Sequence, residues 1–435
     1  MTMQYSSIVC SFIRPFSPGY SGGEIRDYHI IQHLSSISSI KFISMTDSQP
    51  NGRQDDFASI LDEYYEPAIL RSHYPQFINR LSLRRSWFTR FFGLLRMFNV
   101  PVWGLKYHRD ISLVSWQIDA YVLPIFKFKL MRESPDFIFI SPQLNPTLLR
   151  LDTTNLLQTR TILLTYDIEA VRLARIAEAE TGLARVAKRI ESHRAERFER
   201  ENINRYDGFV VVSDLDKKSM VERYGLESER VLTVENSIDV NYFSYSPNII
   251  DTDKPNIVFI GNLAYWPNHD AAIRLLRDIM PRIRYHFPGA RAWIVGDRPK
   301  SELEAFAYFD LDIITGPVDD VRPYLQKASV VCVPLRAGSG TKYKILEALG
   351  VGRPLVCTTI AAEGLDLHAG THFVLANSDD EIADACIQIL KRPASFQEMV
   401  SEARTHVERF YSWESNLKKL DVWLSMIRER PKVRS

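Results

Sequence analysis

The sequence predicts an α/β protein made of two doubly wound parallel-sheet domains. Three observations predict it. Short β-rich apolar runs alternate with amphipathic helical stretches along most of the chain. The runs are continuously apolar rather than in/out alternating, which a parallel sheet covered on both faces requires. A polar, weakly periodic stretch with two prolines, ENSIDVNYFSYSPNIIDTDKPN (235–256), reads as a linker between halves of similar size. A chain of 435 residues accommodates two such domains.

The expected strands of the first half are 6–13, 39–45, 136–140, 161–166 and 208–213. Those of the second are 256–261, 291–296, 311–316, 330–335 and 354–359. A long insertion at about residues 50–135 interrupts the first set. Hydrophobic residues make up 45% and charged residues 25%, so each domain can bury a core. The 54 basic and 53 acidic residues leave a net charge of +1, which argues against a nucleic-acid binder. The four cysteines are too few and too scattered for a disulfide framework or a zinc site. Cys10, Cys332 and Cys357 sit inside apolar runs and read as small hydrophobes. No signal-peptide pattern and no long apolar run is found, so a cytoplasmic, reducing compartment is expected.

Two glycine-rich loops carry the chemistry. In the first, Gly19, Gly22 and Gly23 lie between a strand and a helix whose apolar positions are Ile30, Ile31 and Leu34. Glycine lets backbone approach a ligand, and a helix N-terminus offers free amides; an ordinary tight turn fits equally. In the second, a strand runs into Gly338-Ser339-Gly340-Thr341 and then a helix with Lys344 and Glu347 three residues apart on one side. Loop amides and helix dipole suit a diphosphate, Lys344 adds positive charge, and Glu347 suits a ribose diol. A Walker motif fails on order, because the chain reads Gly340-Thr341-Lys342. A plain surface ion pair between Lys344 and Glu347 is the simpler alternative.

With these loops in place, the second half resembles the family-4 (group 1) glycosyltransferases of the GT-B fold. The resemblance rests on FIGNLAYWPNHDAA (259–272), Pro281, PGARAWIVG (288–296), TGPVDDVRPYLQKASVVCVPL (315–335), GSGTKYKILEALGVGRPLVCT (338–358), AAEGLD (361–366) and YSW (411–413). The first half is similar more loosely, through Gly22-Gly23, PDFIFIS (135–141), TYDIEAVR (165–172) and YDGFVVVS (206–213). The resemblance implies two Rossmann-like domains facing a central cleft. Residues 1–234 would bind the acceptor and 235–412 the nucleotide sugar, with 413–435 a helix returning to the first domain. It implies a retaining transfer from a UDP- or GDP-linked sugar, without metal or other cofactor. The acceptor would be a glycan, a lipid-linked glycan or a small molecule, as in polysaccharide or glycoconjugate assembly.

By position the resemblance assigns Glu347 to the ribose and Gly340 and Thr341 to the diphosphate. Gly22 and Gly23 match the N-terminal phosphate loop, and Val318 matches the base contact. Gly261, Asn262 and Lys344 are further donor-site candidates. Three departures stand out. Ser339 occupies the place of a frequent glutamate, as in a glycine-rich subgroup. Tyr166 replaces a frequent histidine; it can donate a hydrogen bond but does not titrate near neutral pH. Asp167 and Glu169 beside it are the remaining catalytic candidates. Glu235-Asn236-Ser237 replaces a Pro-Asn-Gly turn, a change expected to affect turn geometry.

Two Asp-x-Asp triplets, at Asp214–Asp216 and Asp310–Asp312, read as a helix cap and a loop rather than a metal site. Residues 67–109 hold eight Lys or Arg and no Asp or Glu. Within 80–98, aromatic and leucine residues fall at helical spacing between arginines. A helix lying on an anionic membrane and an ordinary core helix both fit. The Arg-rich stretch 172–205, alternating with glutamates, reads as a solvated helix face. Two other functions stay open. A nucleotide-sugar 2-epimerase would need acid/base groups around the sugar, of which no cluster is apparent. A degenerate binding subunit of the same fold is suggested by Ser339 and Tyr166.

Overall fold

The computed structural model describes residues 5–11, 22–44, 61–65, 134–140, 158–246, 253–299, 301–308, 310–338 and 340–432. Two compact units divide the chain: residues 1–234 with 419–435, and residues 235–418. Each is built on one sheet in which every pairing is parallel.

The first unit holds β1 (Tyr5–Ser11), β2 (Ser38–Ser44), β3 (Glu63–Tyr65), β4 (Phe137–Ile140), β5 (Arg160–Leu164), β6 (Gly208–Val211) and β7 (Val231–Thr233). Their order is β3-β2-β1-β4-β5-β6-β7. All residues of β4, β5 and β6 are buried, as a sheet covered on both faces demands. Its helices include α1 (Gly22–Ile37), α2 (Glu169–Ala179), α3 (Gly182–Asn202), which packs on α2, and α4 (Asp214–Tyr224). Part of the stretch read as an insertion is sheet: β3 pairs with β2, Phe42 opposite Tyr64. Residues 66–133 of that stretch lie outside the described residues.

The second unit holds β8 (Asn256–Ile260), β9 (Arg291–Val295), β10 (Ile313–Ile314), β11 (Val330–Val333), β12 (Leu355–Cys357) and β13 (Val374–Leu375). Their order, β10-β9-β8-β11-β12-β13, repeats the 3-2-1-4-5-6 pattern of dinucleotide-binding folds. Its helices include α5 (Trp266–Arg274), α6 (Met280–His286), α7 (Arg322–Gln326) and α8 (Tyr343–Val351). Cys332, Cys357 and Cys386 are buried free thiols of this core. The polar stretch after Val234 packs closely: Asn236 and Ser237 are buried, and Ile238 N–H donates to Tyr411 O at 2.9 Å.

The last long helix, Trp413–Glu429, starts in the second unit and continues in the first. There Trp423 Nε1 donates to Glu229 O at 2.8 Å. Arg160 donates to the carbonyls of Ile427 (3.1 Å), Arg428 (3.0 Å) and Arg430 (2.6 Å), satisfying the helix end. No helix among the described residues is long and apolar enough to cross a membrane.

Candidate functional site

Strand order in the second unit reverses between β8 and β11. Open α/β sheets hold ligands beyond the carboxyl ends of the strands at such a point. Gly261 and Asn262 follow β8. The Asn262 side chain accepts from Ala264 N–H at 2.9 Å, fixing the turn, and its carbonyl accepts from Asn268 Nδ2 at 2.9 Å. Asn268 Oδ1 in turn accepts from Lys344 Nζ at 2.7 Å. Because Lys344 belongs to the helix after β11, this bond ties the two loops at the switch point together. Lys344 Nζ also lies 4.4 Å from the centre of the Phe259 ring, a cation–π contact.

The loop after β11 depends on its glycines. Gly338 has φ +137° and Gly340 φ +65°, backbone conformations that a Cβ makes costly. Lys342 Nζ closes the loop by donating to Gly340 O at 2.6 Å. Thr341 Oγ1 accepts from Asn236 Nδ2 at 2.7 Å, and Tyr343 OH donates to Asn236 Oδ1 at 3.2 Å. Asn236 therefore anchors the loop, a role beyond the turn geometry expected for Glu235-Asn236-Ser237. Helix α8 begins at Tyr343 without a side-chain cap from Lys342, and Ile345 N–H in its first turn donates to Lys342 O at 3.0 Å; the positive end of the helix dipole faces this loop. Ser339 lies outside the described residues.

Glu347, one turn into α8, is 9% exposed and makes no hydrogen bond among the described residues. Burial pushes its carboxyl up to about 7, against the pull of the Lys344 charge. Burial likewise brings the Lys344 ammonium down to about 7, opposed by Glu347 and reinforced by Lys342. The two face the same environment, so the simple surface ion pair does not describe them. Val318 is half-buried against the domain core in the loop after β10.

In the first unit, Gly22 and Gly23 are the first two residues of α1 rather than a loop before it. A Cβ on Gly23 would lie 3.2 Å from the Tyr166 ring, so glycine here lets the ring pack on the helix. Tyr166 OH donates to Asp27 Oδ2 at 2.5 Å. The neighbouring Arg26 is fully buried and donates to Val234 O at 2.5 Å and Val211 O at 3.1 Å, beyond β7 and at the end of β6. The structure thus joins Gly23 and Tyr166 through Asp27, which the sequence reading missed. The signal was present: Gly23, Asp27, Ile30 and Leu34 lie on one helix face, and a carboxylate on an apolar face is unusual.

Asp167 is half-buried in the turn after β5. Glu169 opens α2 and holds Arg172 by two hydrogen bonds of 2.7 and 2.6 Å. Its N–H donates to Glu199 Oε1 at 3.0 Å, and Tyr224 OH donates to the other Glu199 oxygen at 2.5 Å. Burial raises the Glu199 carboxyl to about 7. Glu169 thereby also takes part in helix packing, through Arg172 and Glu199.

The Asp-x-Asp triplets have structural partners. Ser213 caps α4 by accepting from Asp216 N–H at 3.1 Å, and Asp214 accepts from Thr233 Oγ1 at 2.6 Å. Asp312 accepts from Arg284 and from the N–H groups of Ala292 and Tyr308, each of these two at 2.8 Å. No cluster of His, Cys, Asp and Glu able to hold a metal occurs among the described residues.

Residues 254–392 match the family described as glycosyl transferases, group 1. The phosphatidyl-myo-inositol mannosyltransferase of Mycobacterium leprae (strain TN) is 24% identical over 214 residues, 47% of this chain and 55% of that protein. The chain spans about half the length of the curated relatives it matches. Among solved structures, sucrose-phosphate synthase from Thermosynechococcus elongatus superposes with a TM-score of 0.67 at 11% identity, over 97% of this chain and 98% of that one. HepE from Anabaena, in complex with UDP and glucose, does so at 0.63 and 12% identity, over 97% and 99%. Residues 254–392 thus match the group 1 glycosyl transferases, and the chain as a whole has the two-domain α/β architecture of the GT-B type.

Proposed function

We propose that the protein is a retaining glycosyltransferase that moves a sugar from a nucleoside-diphosphate sugar to a glycan, lipid-linked or small-molecule acceptor. The observation that carries it is the pairing at the β8/β11 switch point: a lysine at a helix N-terminus without a side-chain cap, with a buried carboxylate lacking a hydrogen-bond partner one turn deeper. An uncapped N-terminus with an adjacent ammonium suits a diphosphate. Glu347 suits a ribose diol, whose two hydroxyls can donate to one carboxylate. As the bond to the sugar breaks, negative charge grows on the leaving phosphate, where Lys344 and the α8 amides stabilise it. The departing phosphate oxygen takes the acceptor proton, so no separate base is demanded. Tyr166, held by Asp27, is proposed to orient the donor sugar; Asp167 and Gly22 belong to the same reading. The binding of UDP and glucose by HepE supports a uridine nucleotide as the first to test. An anionic membrane contacted by residues 80–98 also belongs here; those residues lie outside the described ones.

Thermal unfolding with a panel of nucleoside diphosphates tests the reading. A cognate ligand at 100 times its dissociation constant adds about 2.7 kcal/mol of stability. Stabilisation by UDP or GDP, with slow hydrolysis of the matching nucleotide sugar, is the expected result. No stabilisation by any of them removes the proposal, and stabilisation without hydrolysis or transfer favours a binding subunit.

The lysine also makes binding proton-linked. With its ammonium lowered to about 7, Lys344 is mostly neutral in the empty site at pH 8. A diphosphate beside it restores the charged form, so binding takes up a proton, and affinity falls as pH rises above about 7. Calorimetry at pH 8 in buffers of different ionisation enthalpy will show uptake of up to about one proton. Lys344→Met should abolish that uptake; unchanged uptake in the variant assigns it elsewhere.

A further inference from the structure

Helix α3 has an inverted face. Its inner side holds Glu191, Ser192 and Ala195, all buried. Ser192 Oγ donates to Ala170 O at 2.8 Å, Ala195 packs with Ala170 and Leu173, and Glu191 pairs with Lys188 at 2.8 Å. At 3.6 residues per turn, Leu183, Val186 and Ile190 fall on the opposite side, spaced i, i+3 and i+7. They are 89%, 55% and 47% exposed. A helix in a soluble domain ordinarily turns such a stripe inward. Here two polar residues point in and three aliphatic ones point out.

The charges beside the stripe have one sign. Arg185 and Arg189 are exposed and have no hydrogen-bond or ion-pair partner among the described residues. Between Gly182 and Ala195 the one carboxylate is Glu191, buried and already paired. The second half of the helix differs. Arg197 pairs with Glu201 at 2.7 Å and Arg200 with Glu196 at 3.5 Å, so its outer surface is neutralised. Basic and apolar character coincide only over the first turns.

We propose that the outer face of α3 from Leu183 to Ile190 docks on an anionic lipid surface. Aliphatic side chains on one stripe enter the boundary between headgroups and acyl chains, while the flanking arginines meet lipid phosphates. Charge complementarity selects this occupant. A second copy of the chain on the same face would bring unpaired arginines together with no outward carboxylate to meet them, which is unfavourable. The inference does not depend on the donor-site reading, since none of these residues lies at the β8/β11 loops. It turns the stretch expected to be a solvated face into two parts, of which only the second is solvated in that sense.

Sedimentation of the full chain with vesicles tests it. The wild type should pellet with vesicles of phosphatidylcholine containing phosphatidylserine, and not with phosphatidylcholine alone. Arg185→Gln with Arg189→Gln should weaken binding by roughly thirtyfold, at the usual contribution of a basic residue near an anionic surface. Leu183→Ser, Val186→Ser and Ile190→Ser together should lower it by roughly tenfold or more. All five side chains are exposed, so both variants should keep the wild-type unfolding temperature and the wild-type response to nucleotides. Wild-type protein that ignores anionic vesicles overturns the proposal. So does undiminished binding by the triple-serine variant, which would assign the contact to another segment such as 80–98. A dimer in solution that the triple variant dissolves overturns it in favour of a second copy. Because nucleotide stabilisation is read in the same samples, failure of this proposal and failure of the donor site are told apart.

Discussion

Gly296→Ala will cost the protein about 3–5 kcal/mol and disorganise the loops around Lys344 with it. Gly296 ends β9 with φ +156°, and a Cβ built there would lie 1.8 Å from the Gly261 carbonyl oxygen. That obstacle is backbone, not the end of a flexible side chain, so the Gly261 segment must move. Gly261 N–H donates to Val295 O at 2.9 Å, and the next residue starts the chain of bonds from Asn262 through Asn268 to Lys344. Gly370→Ala supplies the comparison. It has φ +83° with nothing within 4 Å of the added carbon, so only conformational strain of about 1–2 kcal/mol applies. Chemical denaturation of both variants measures the difference. Equal losses would show that the close approach of Gly296 to Gly261 is relieved cheaply.

Much of this architecture was legible because parallel strands buried on both faces leave a dense apolar trace. Every run expected as a strand contains one, from β1 at Tyr5–Ser11 to β12 at Leu355–Cys357. The ends differ where a glycine turns the chain away, as at Gly261 and Gly296. Three strands left no such trace: β3, β7 and β13, of two or three residues each. All three are edge strands, where a neighbour's backbone decides the pairing and few side chains record it.

The site divides along the same line. Glycines with positive φ, a lysine at a helix start and a glutamate one turn on are local features, so Gly340, Thr341, Lys344 and Glu347 could be read in order along the chain. The groups that hold them are distant in sequence. Asn236 meets Thr341 across 105 residues, Asn268 meets Lys344 across 76, and Asp27 meets Tyr166 across 139. An asparagine in a loop carries no mark of such a partner. Residues 172–205, read as a solvated helix face, are largely exposed along α3. Their charge alternation is real, but it hides the aliphatic stripe of Leu183, Val186 and Ile190 until the buried face of the helix is known.

Glu347→Gln should raise the stability of the empty protein while lowering its affinity for a nucleoside diphosphate. The folded carboxyl is raised to about 7 from an ordinary 4.5, so the folded state holds its proton more tightly than the unfolded chain. The favourable contribution is complete below about pH 4.5 and is lost as pH rises through about 7. Above that, a charge without a hydrogen-bond partner is buried, and neutral glutamine of nearly the same shape removes the penalty. The unfolding temperature of the variant should therefore exceed that of wild type at pH 8, and the gap should close toward pH 4.5. Affinity moves the other way. A hydrogen bond to a charged acceptor contributes about 1.5–3 kcal/mol, so losing the carboxylate weakens nucleotide binding by roughly tenfold or more. The ligand can be cut at the same place. If Glu347 holds the ribose diol, wild type should bind a 2′,3′-dideoxynucleoside diphosphate much more weakly than the ribonucleotide, and Glu347→Ala should discriminate little between them. A stabilised variant that binds both ligands like wild type would leave Glu347 a buried carboxylate without a ligand, and would send the search for the ribose contact back to the loops beyond β8 and β11.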